Sequence, residues 1–381
     1  MNVEQQLSVP QGTFQLQRYP PRPRETLRAW DAADELLLQQ LAELPQPLPR
    51  PLILNDSFGA LSVALNQLSP VFNADSYIAH RAVAHNYRLN QLEIGQITTQ
   101  TPFELPPEPV RLLLIKIPTT LALLEDQLQR LRSQLAPDCR IIAAAMAKHI
   151  HRSTLALFEQ ILGPTTTSLA KKKARLVFCE LGSDSQDSNR LPSQYPSQYP
   201  LENSRFTISN HAGVFSREKL DIGTRLLLEH LPSSDQAKTI IDLGCGNGVV
   251  GLIAAERNPA AELVFVDDSY RALGSAEENF NAGFGHQRSA RFKADNCLES
   301  FTGQSADLVL NNPPFHQQQT IGDHIARQMF SDAKRVLRSQ GELWVIGNRH
   351  LGYHVQLRKL FGNCELVANN PKFVLLKAVK D

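Results

Sequence analysis

Between Leu27 and Leu44 apolar residues recur at 27, 30, 33, 36 to 38 and 41, the spacing of an amphipathic helix. The Pro-rich stretch PQPLPRP at 45 to 51 ends that pattern, and a strand is expected to begin near Leu52. Beyond residue 238 short apolar runs alternate with helical patterns. Strands are predicted at 239–243, 262–267, 291–294, 306–311 and 341–347, with helices at about 248–257, 270–282, 323–338 and 351–361. Strict alternation of this kind predicts a mostly parallel sheet with helices on both faces. The tail CELVANNPKFVLLKAV reads as two β-rich runs joined at Asn369-Asn370-Pro371, a hairpin that closes the sheet antiparallel.

The first half repeats this plan. Leu52–Leu54 followed by Gly59 parallels Ile241–Leu243 followed by Gly248, and Asp75-Ser76-Tyr77 with Asn86 parallels Asp268-Ser269-Tyr270 with Asn279 at the same spacing. Leu131-Arg132-Ser133-Gln134 recurs as Leu337-Arg338-Ser339-Gln340, and Lys148-His149 as Arg349-His350. The shared order predicts an α/β chain of two tandem Rossmann-like domains. Residues 182–204 are rich in Ser, Gln, Asn and Pro and carry a tandem Ser-Gln-Tyr-Pro, a composition with too little apolar surface to offset its ordering entropy. They read as a linker between domains at 1–181 and 205–381.

Composition narrows the class without naming a chemistry. With 42% hydrophobic and 20% charged residues among 381, the chain reads as an ordinary globular protein. No run approaches about eighteen apolar residues, and Asn2, Glu4, Gln5 and Gln6 do not form a basic leader, so neither membrane insertion nor secretion is expected. Five scattered cysteines without a Cys-x-x-Cys pair argue against disulfides and a metal site and fit a reducing cytoplasm. The net charge of +1 leaves local patches open, and Lys171, Lys172, Lys173 and Arg175 form the densest basic run.

The chemistry concentrates in the second half. Ile240-Ile241-Asp242-Leu243-Gly244-Cys245-Gly246-Asn247-Gly248 is an apolar strand entering a glycine-dense turn and then a helix, whose free N–H groups suit a nucleotide-like ligand. Gly246, Gly248 and Gly251 also satisfy the dinucleotide pattern G-x-G-x-x-G. Asp242 lies where a pyrophosphate would be repelled and where a cationic amino group would be welcome. Asp267, ending the second strand, is placed to accept from ribose hydroxyls, and Asp295, ending the third, from an adenine amine; helix capping is the plainer role for each. After the fourth strand comes Asn312-Pro313-Pro314-Phe315. Two prolines stiffen the backbone, so the Asn312 side-chain Oδ1 and the Pro313 carbonyl can accept the hydrogens of an exocyclic amine while Phe315 stacks on its ring.

Asp-Leu-Gly-Cys-Gly-Asn-Gly followed by Asn-Pro-Pro-Phe resembles the S-adenosylmethionine-dependent amino-methyltransferases. His211-Ala212-Gly213-Val214-Phe215-Ser216, Leu220-Asp221-Ile222-Gly223, Asn312 to Gln318 and Gly347-Asn348-Arg349-His350-Leu351 are similar to the rRNA guanine-N2 methyltransferases. The wider chain looks like their large-subunit branch, on Trp30 to Leu38, Leu52 to Leu61 and Leu162-Gly163-Pro164-Thr165-Thr166-Thr167. The resemblance implies two class I methyltransferase domains, a cofactor S-adenosylmethionine and a substrate guanine of 23S rRNA, in a cytoplasmic monomer without metal or membrane. It assigns Asp242, Gly244, Gly246, Gly248, Asp267 and Asp295 to the cofactor, Phe215 and Asp221 to the segment over its methionine end, and Asn312, Pro313, Pro314 and Phe315 to catalysis. The tetrapeptide alone fits small-subunit rRNA, adenine N6 or a protein amide equally well. A nicotinamide oxidoreductase would leave it unexplained, and an RNA-binding scaffold would leave the glycine loop unexplained. The first domain has Asn55-Asp56-Ser57-Phe58-Gly59 and Lys116-Ile117-Pro118-Thr119 where the two motifs belong, and reads as a degenerate copy kept for RNA recruitment.

Overall fold

The computed structural model describes residues 3–23, 25–182, 193–234, 236–285, 288–314 and 319–381. The chain divides into two compact units, Met1–Ser193 and Gln194–Asp381.

The first unit opens with an antiparallel hairpin, β1 (Gln6–Val9) and β2 (Gly12–Gln15), followed by α1 (Ala32–Ala42). Then come β3 (Pro51–Leu54), α2 (Ala60–Ala64), β4 (Val71–Asn73), α3 (Tyr77–Leu89), β5 (Thr98–Gln100), β6 (Val110–Lys116), α4 (Leu121–Arg132), β7 (Leu135–Met146), α5 (Arg152–Ile161), β8 (Thr165–Thr167) and β9 (Ala174–Cys179). The sheet order is β5-β4-β3-β6-β7-β9-β8, parallel up to β7 and antiparallel beyond it.

The second unit repeats every step: hairpin β10 (Ser197–Pro200) and β11 (Thr207–Asn210), α6 (Ile222–His230), β12 (Thr239–Leu243), α7 (Val249–Arg257), β13 (Glu262–Asp267), α8 (Tyr270–Phe284), β14 (Ala290–Ala294) and β15 (Ala306–Asn311). It continues through α9 (Gln319–Val336), β16 (Leu337–Asn348), α10 (Tyr353–Phe361), β17 (Glu365–Asn369) and β18 (Phe373–Val379). Its order, β14-β13-β12-β15-β16-β18-β17, is the same, parallel to β16 and antiparallel after it. The central strands β3 and β12 are buried at every position because helices cover both faces.

The likeness extends to irregularities. In β6·β7 the register slips between Val110, opposite Leu135, and Leu112, opposite Arg140; in β15·β16 it slips between Ala306, opposite Leu337, and Leu308, opposite Glu342. Ser76 and Ser269 cap α3 and α8, each accepting from the N–H three residues on at 3.1 Å. Asn86 accepts from the Gln17 N–H and donates to the Gln17 and Phe58 carbonyls. Asn279 accepts from the Ser209 N–H and donates to the Ser209 and Asn247 carbonyls. In each unit one buried amide therefore ties the N-terminal hairpin and the turn before the next helix to a single helix.

Several sequence expectations change. The first helix begins at Ala32 rather than Leu27, because the Asp31 carboxylate accepts from the Ala33 and Asp34 N–H groups and fixes the cap there. The expected linker is shorter than 182–204: Ser197–Pro200 pairs with Thr207–Asn210, and Tyr199 is buried in the core, so the second Ser-Gln-Tyr-Pro is a strand. Leu337 starts β16 instead of ending a helix, since its side chain is fully buried and its structural counterpart is Leu135. The Leu-Arg-Ser-Gln match was thus four residues out of register within a repeat that is real.

Asn279→Ala is expected to destabilise the second unit by about 2–4 kcal/mol, since it strands buried backbone groups on two segments. Trp30 and Trp344 lie one in each unit, so denaturation of the Asn279→Ala chain in a Trp30→Phe background, followed by Trp344 fluorescence, checks it.

Candidate active site

The site forms at the carboxyl ends of β12, β13 and β15. Gly244, Gly246 and Gly248 all adopt positive φ (72°, 54° and 78°) in the turn after β12. A Cβ on Gly248 would lie 2.7 Å from that of Ala276, so side chains are excluded there by packing as well as by conformation. A Cβ on Gly246 would meet nothing within 4 Å, and the space above the loop is open. The Gly246 N–H donates to Asp267 Oδ2 at 2.9 Å, and Asp267 Oδ1 accepts from the Ser269 N–H at 2.9 Å, fixing a half-exposed carboxylate at the rim of that space.

Asp242 is 3% exposed, and its Oδ2 accepts from the Gly251 N–H at 2.8 Å, capping the first turn of α7. Burial pushes its carboxyl up to about 8; the Gly251 hydrogen bond opposes the shift and nearby Asp267 adds to it. Asp295 is differently employed: Oδ1 accepts from the Asn296 N–H, and Oδ2 from the Ser300 N–H at 3.0 Å and the Ser300 hydroxyl at 2.5 Å. Its carboxylate serves the turn that follows β14.

Asn312 leaves β15 with its amide fixed. Nδ2 donates to Thr224 Oγ1 at 3.0 Å, and the Thr224 hydroxyl donates onward to Asp221 Oδ2 at 3.4 Å. Asp221 is also the N-cap of α6, accepting from the Thr224 N–H at 3.0 Å. With Nδ2 held, Asn312 Oδ1 is a buried acceptor without a donor among the described residues. Pro313 is buried and Pro314 partly so. Phe315 and His316 lie outside the described residues. Phe215, on the segment before α6, is 52% exposed.

Thr224 and Asn348 were not singled out by sequence reading. Thr224 was findable as the third residue after a capping aspartate. Asn348 ends β16, is 7% exposed, and has an Oδ1 without a donor among the described residues. Ile346, two residues earlier, packs in the core that holds Leu226 and Leu227 of α6, so alternation along the strand puts Asn348 on the α6 side.

Residues 4–183 match the family described as RLMG N-terminal domain, and residues 205–377 the methyltransferase small domain. The ribosomal RNA large subunit methyltransferase G of Yersinia enterocolitica is 50% identical over 371 residues, 97% of this chain and 92% of that protein. The chain belongs to the ribosomal RNA large subunit methyltransferase G family. The protein of the same name in Yersinia pseudotuberculosis is 49% identical over 378 residues, covering 98% of this chain and 94% of that one. Among solved structures, the T. thermophilus 16S rRNA N2 G1207 methyltransferase, determined with AdoMet and guanosine, superposes with a TM-score of 0.76 at 21% identity. That likeness covers 99% of this chain and 97% of the other and is one of fold.

Within this family member the first unit keeps the methyltransferase fold with different contents. Lys116 stands at the Asn312 position, as the pairings of Leu54 with Ile115 and Leu243 with Asn311 require. Its ammonium contacts Asp31 at 2.8 Å and Asp34 at 2.7 Å. Burial works against the charge on Lys116, yet the two carboxylates hold its pKa above the ordinary lysine value, while burial raises Asp34 to about 6. Asp56 Oδ2 takes the Ser62 N–H and hydroxyl, both at 2.9 Å, the N-terminal capping role that Asp242 fills for α7. Asn55 pairs reciprocally with Gln127 and donates to the Lys116 carbonyl. A cavity of about 440 Å³ remains at the ends of these strands, lined by Asp31, Asn55, Lys116, Pro118 and His149 among others.

The Asp242 carboxyl gives a signed pH dependence. In the folded chain it stays protonated up to about 8, against 3.8 ordinarily, so its contribution is complete below pH 4 and is lost as pH rises through 8. Relative to Asp242→Asn, the parent chain should lose stability steadily between pH 5 and pH 8 in denaturant titrations; parallel curves would sink the assignment.

Proposed function

We propose that the second unit transfers the methyl of S-adenosylmethionine to the exocyclic N2 amine of a guanine in 23S rRNA. The observation that carries this reading is Asn312 Oδ1, a buried acceptor left without a donor among the described residues while Nδ2 is locked to Thr224. Such an atom calls for an N–H from outside the fold. A guanine amine has two, and the Pro313 carbonyl is the natural acceptor for the other.

The residues present fit the cofactor. The open cradle at Gly246 and the Asp267 carboxylate beside it suit a nucleoside, and a cationic amino-acid tail above Asp242 would draw its buried carboxyl toward the charged form. Asp221 and Phe215 belong to the segment assigned to that tail, whereas Asp295 contributes the shape of the pocket through its turn. When bound, the sulfonium supplies an already activated methyl. The chain's own work is then positioning, which can recover about 7–11 kcal/mol of barrier. Asn312 and Pro313, by accepting both amine hydrogens, draw the nitrogen toward tetrahedral geometry and aim its lone pair. Thr224 acts through Asn312 as a positioning residue. The first unit, with Lys116 in place of the catalytic asparagine, serves RNA recruitment. Membership of a family named for the large-subunit RNA supports that target over small-subunit rRNA.

Asn312→Ala is expected to lower turnover at least about a hundredfold with cofactor affinity nearly unchanged. Thr224→Val should lower kcat more modestly, and Thr224→Ser should restore it. Radiolabelled methyl transfer to protein-free rRNA, with mapping of the labelled nucleoside, tests the reading directly; label on any base other than guanine rejects it. Calorimetry should give one S-adenosylmethionine per chain, and a second site would contradict the role given to the first unit.

A further inference from the structure

Helix α3 of the first unit and α8 of the second are structural counterparts, aligned by their serine caps and by Asn86 and Asn279. Their outer faces differ sharply in charge. Along α3 the positions 77, 81, 85 and 88, spaced by four, four and three residues, are Tyr77, Arg81, His85 and Arg88; the counterparts on α8 are Tyr270, Gly274, Glu278 and Asn281. Helix α3 contains no acidic residue, while α8 contains Glu277 and Glu278.

The stripe is interleaved with aromatic rings. The Arg81 guanidinium lies 5.8 Å from the Tyr77 ring centroid and 5.6 Å from that of Tyr19, and it donates to the Tyr77 hydroxyl at 2.9 Å. Tyr19 lies against His85 at 5.8 Å. One residue before it, Arg18 stacks over Phe58 at 4.9 Å and donates to the Arg28 carbonyl. Asn86, on the same helix, holds the adjoining Gln17 by two hydrogen bonds, so the segment is anchored alongside the stripe. Among the described residues the acids nearby are Glu25 beside Arg18 and, around His80 in the first turn of the helix, Glu104 and Asp75. By contrast, the basic run noted in the sequence is partly engaged within the unit, Lys172 with Glu35 and Lys171 with Gln39.

We propose that the outer face of α3, with the Arg18–Tyr19 segment, is the surface by which the first unit grips an unpaired stretch of rRNA. Phosphates meet Arg81 and Arg88, and a base stacks on the rings around Arg81. A face that is cationic, free of acids along its helix and set with half-exposed aromatic rings matches a single strand, which offers one negative charge and one π-face per nucleotide. Guanidinium groups already held over rings lose less freedom on contact than free lysines would. The identity of the partner rests on the rRNA reading above.

The test uses the full chain with an unmodified large-subunit rRNA transcript in filter binding across a salt series. Arg81→Glu/Arg88→Glu should weaken binding at least about tenfold and flatten the logarithmic salt slope by about 1.5, the effect of two lost phosphate contacts. S-adenosylmethionine binding by calorimetry should be unchanged. Tyr19→Ala should weaken binding about tenfold with the slope unchanged, as expected for lost stacking. Affinity within twofold of the parent in both variants overturns the proposal. So does an equal loss in Lys171→Glu/Lys173→Glu, which would reduce the effect to net charge, or an equal loss of binding to polyglutamate, which would indicate an acidic protein partner. Filter binding reads the contact independently of methyl transfer. A chain that grips rRNA through this face but methylates another nitrogen leaves this inference standing and overturns only the proposed reaction.

Discussion

A glycine turn that must present its backbone to a ligand cannot also be held by bonds on that same side. In both units a side-chain amide solves this from beneath: Asn279, buried on α8, grips the Asn247 carbonyl inside the turn and both backbone groups of Ser209 in the preceding segment. That one residue couples the height of the loop to the path of the chain leading toward Phe215 and Asp221. Asp221 then caps α6, Thr224 follows from the cap, and Thr224 orients Asn312. Asn312 is thus aligned through a relay that begins on α8 and passes through the N-terminus of α6.

The first unit retains the clamp in Asn86 and has replaced what the clamp supports. Where the second unit has a polar amide whose oxygen finds no donor among the described residues, the first has a lysine enclosed by Asp31 and Asp34. The capping carboxylate has moved from the strand, where Asp242 sits, to the turn, where Asp56 sits, so α2 keeps an acid at its N-terminus while the strand end becomes Ile53. These exchanges leave Asn55, Asp56 and Lys116 each with partners inside the unit, so the fold persists with different contents.

The strand and helix order was legible because each parallel strand is buried on both faces and announces itself as an apolar run between glycine or proline signals. The duplication was legible from Asp-Ser-Tyr and the asparagine nine residues after its tyrosine, since a cap and a clamp impose spacing. It was misjudged at Leu131-Arg132-Ser133-Gln134, where equal letters fall at unequal places around a register slip. The second Ser-Gln-Tyr-Pro looked like linker because composition does not reveal that Tyr199 finds a core. Within the site, Gly244, Gly246, Gly248, Asp242, Asp267 and Asn312 were recognisable as motif letters. What holds them was not: Thr224 lies 88 residues from Asn312 in sequence, and the two meet only when α6 packs on β16, the neighbour of β15. Asp295 shows the reverse case, a residue whose position suggested a ligand and whose bonds serve its own turn.

The Asp31–Lys116–Asp34 arrangement also bears on descent. Returning Lys116 to asparagine would leave Asp34 enclosed without its counter-charge, a change that costs about 3–5 kcal/mol when one partner of a buried pair is removed. Removing Asp34 first keeps the ammonium on Asp31, whose half-exposed carboxylate also caps α1. The order of substitution therefore matters, since exchange of Lys116 costs less after Asp34 has gone than before it. Selection acting one substitution at a time is thereby steered toward the outside of this copy and away from its strand ends.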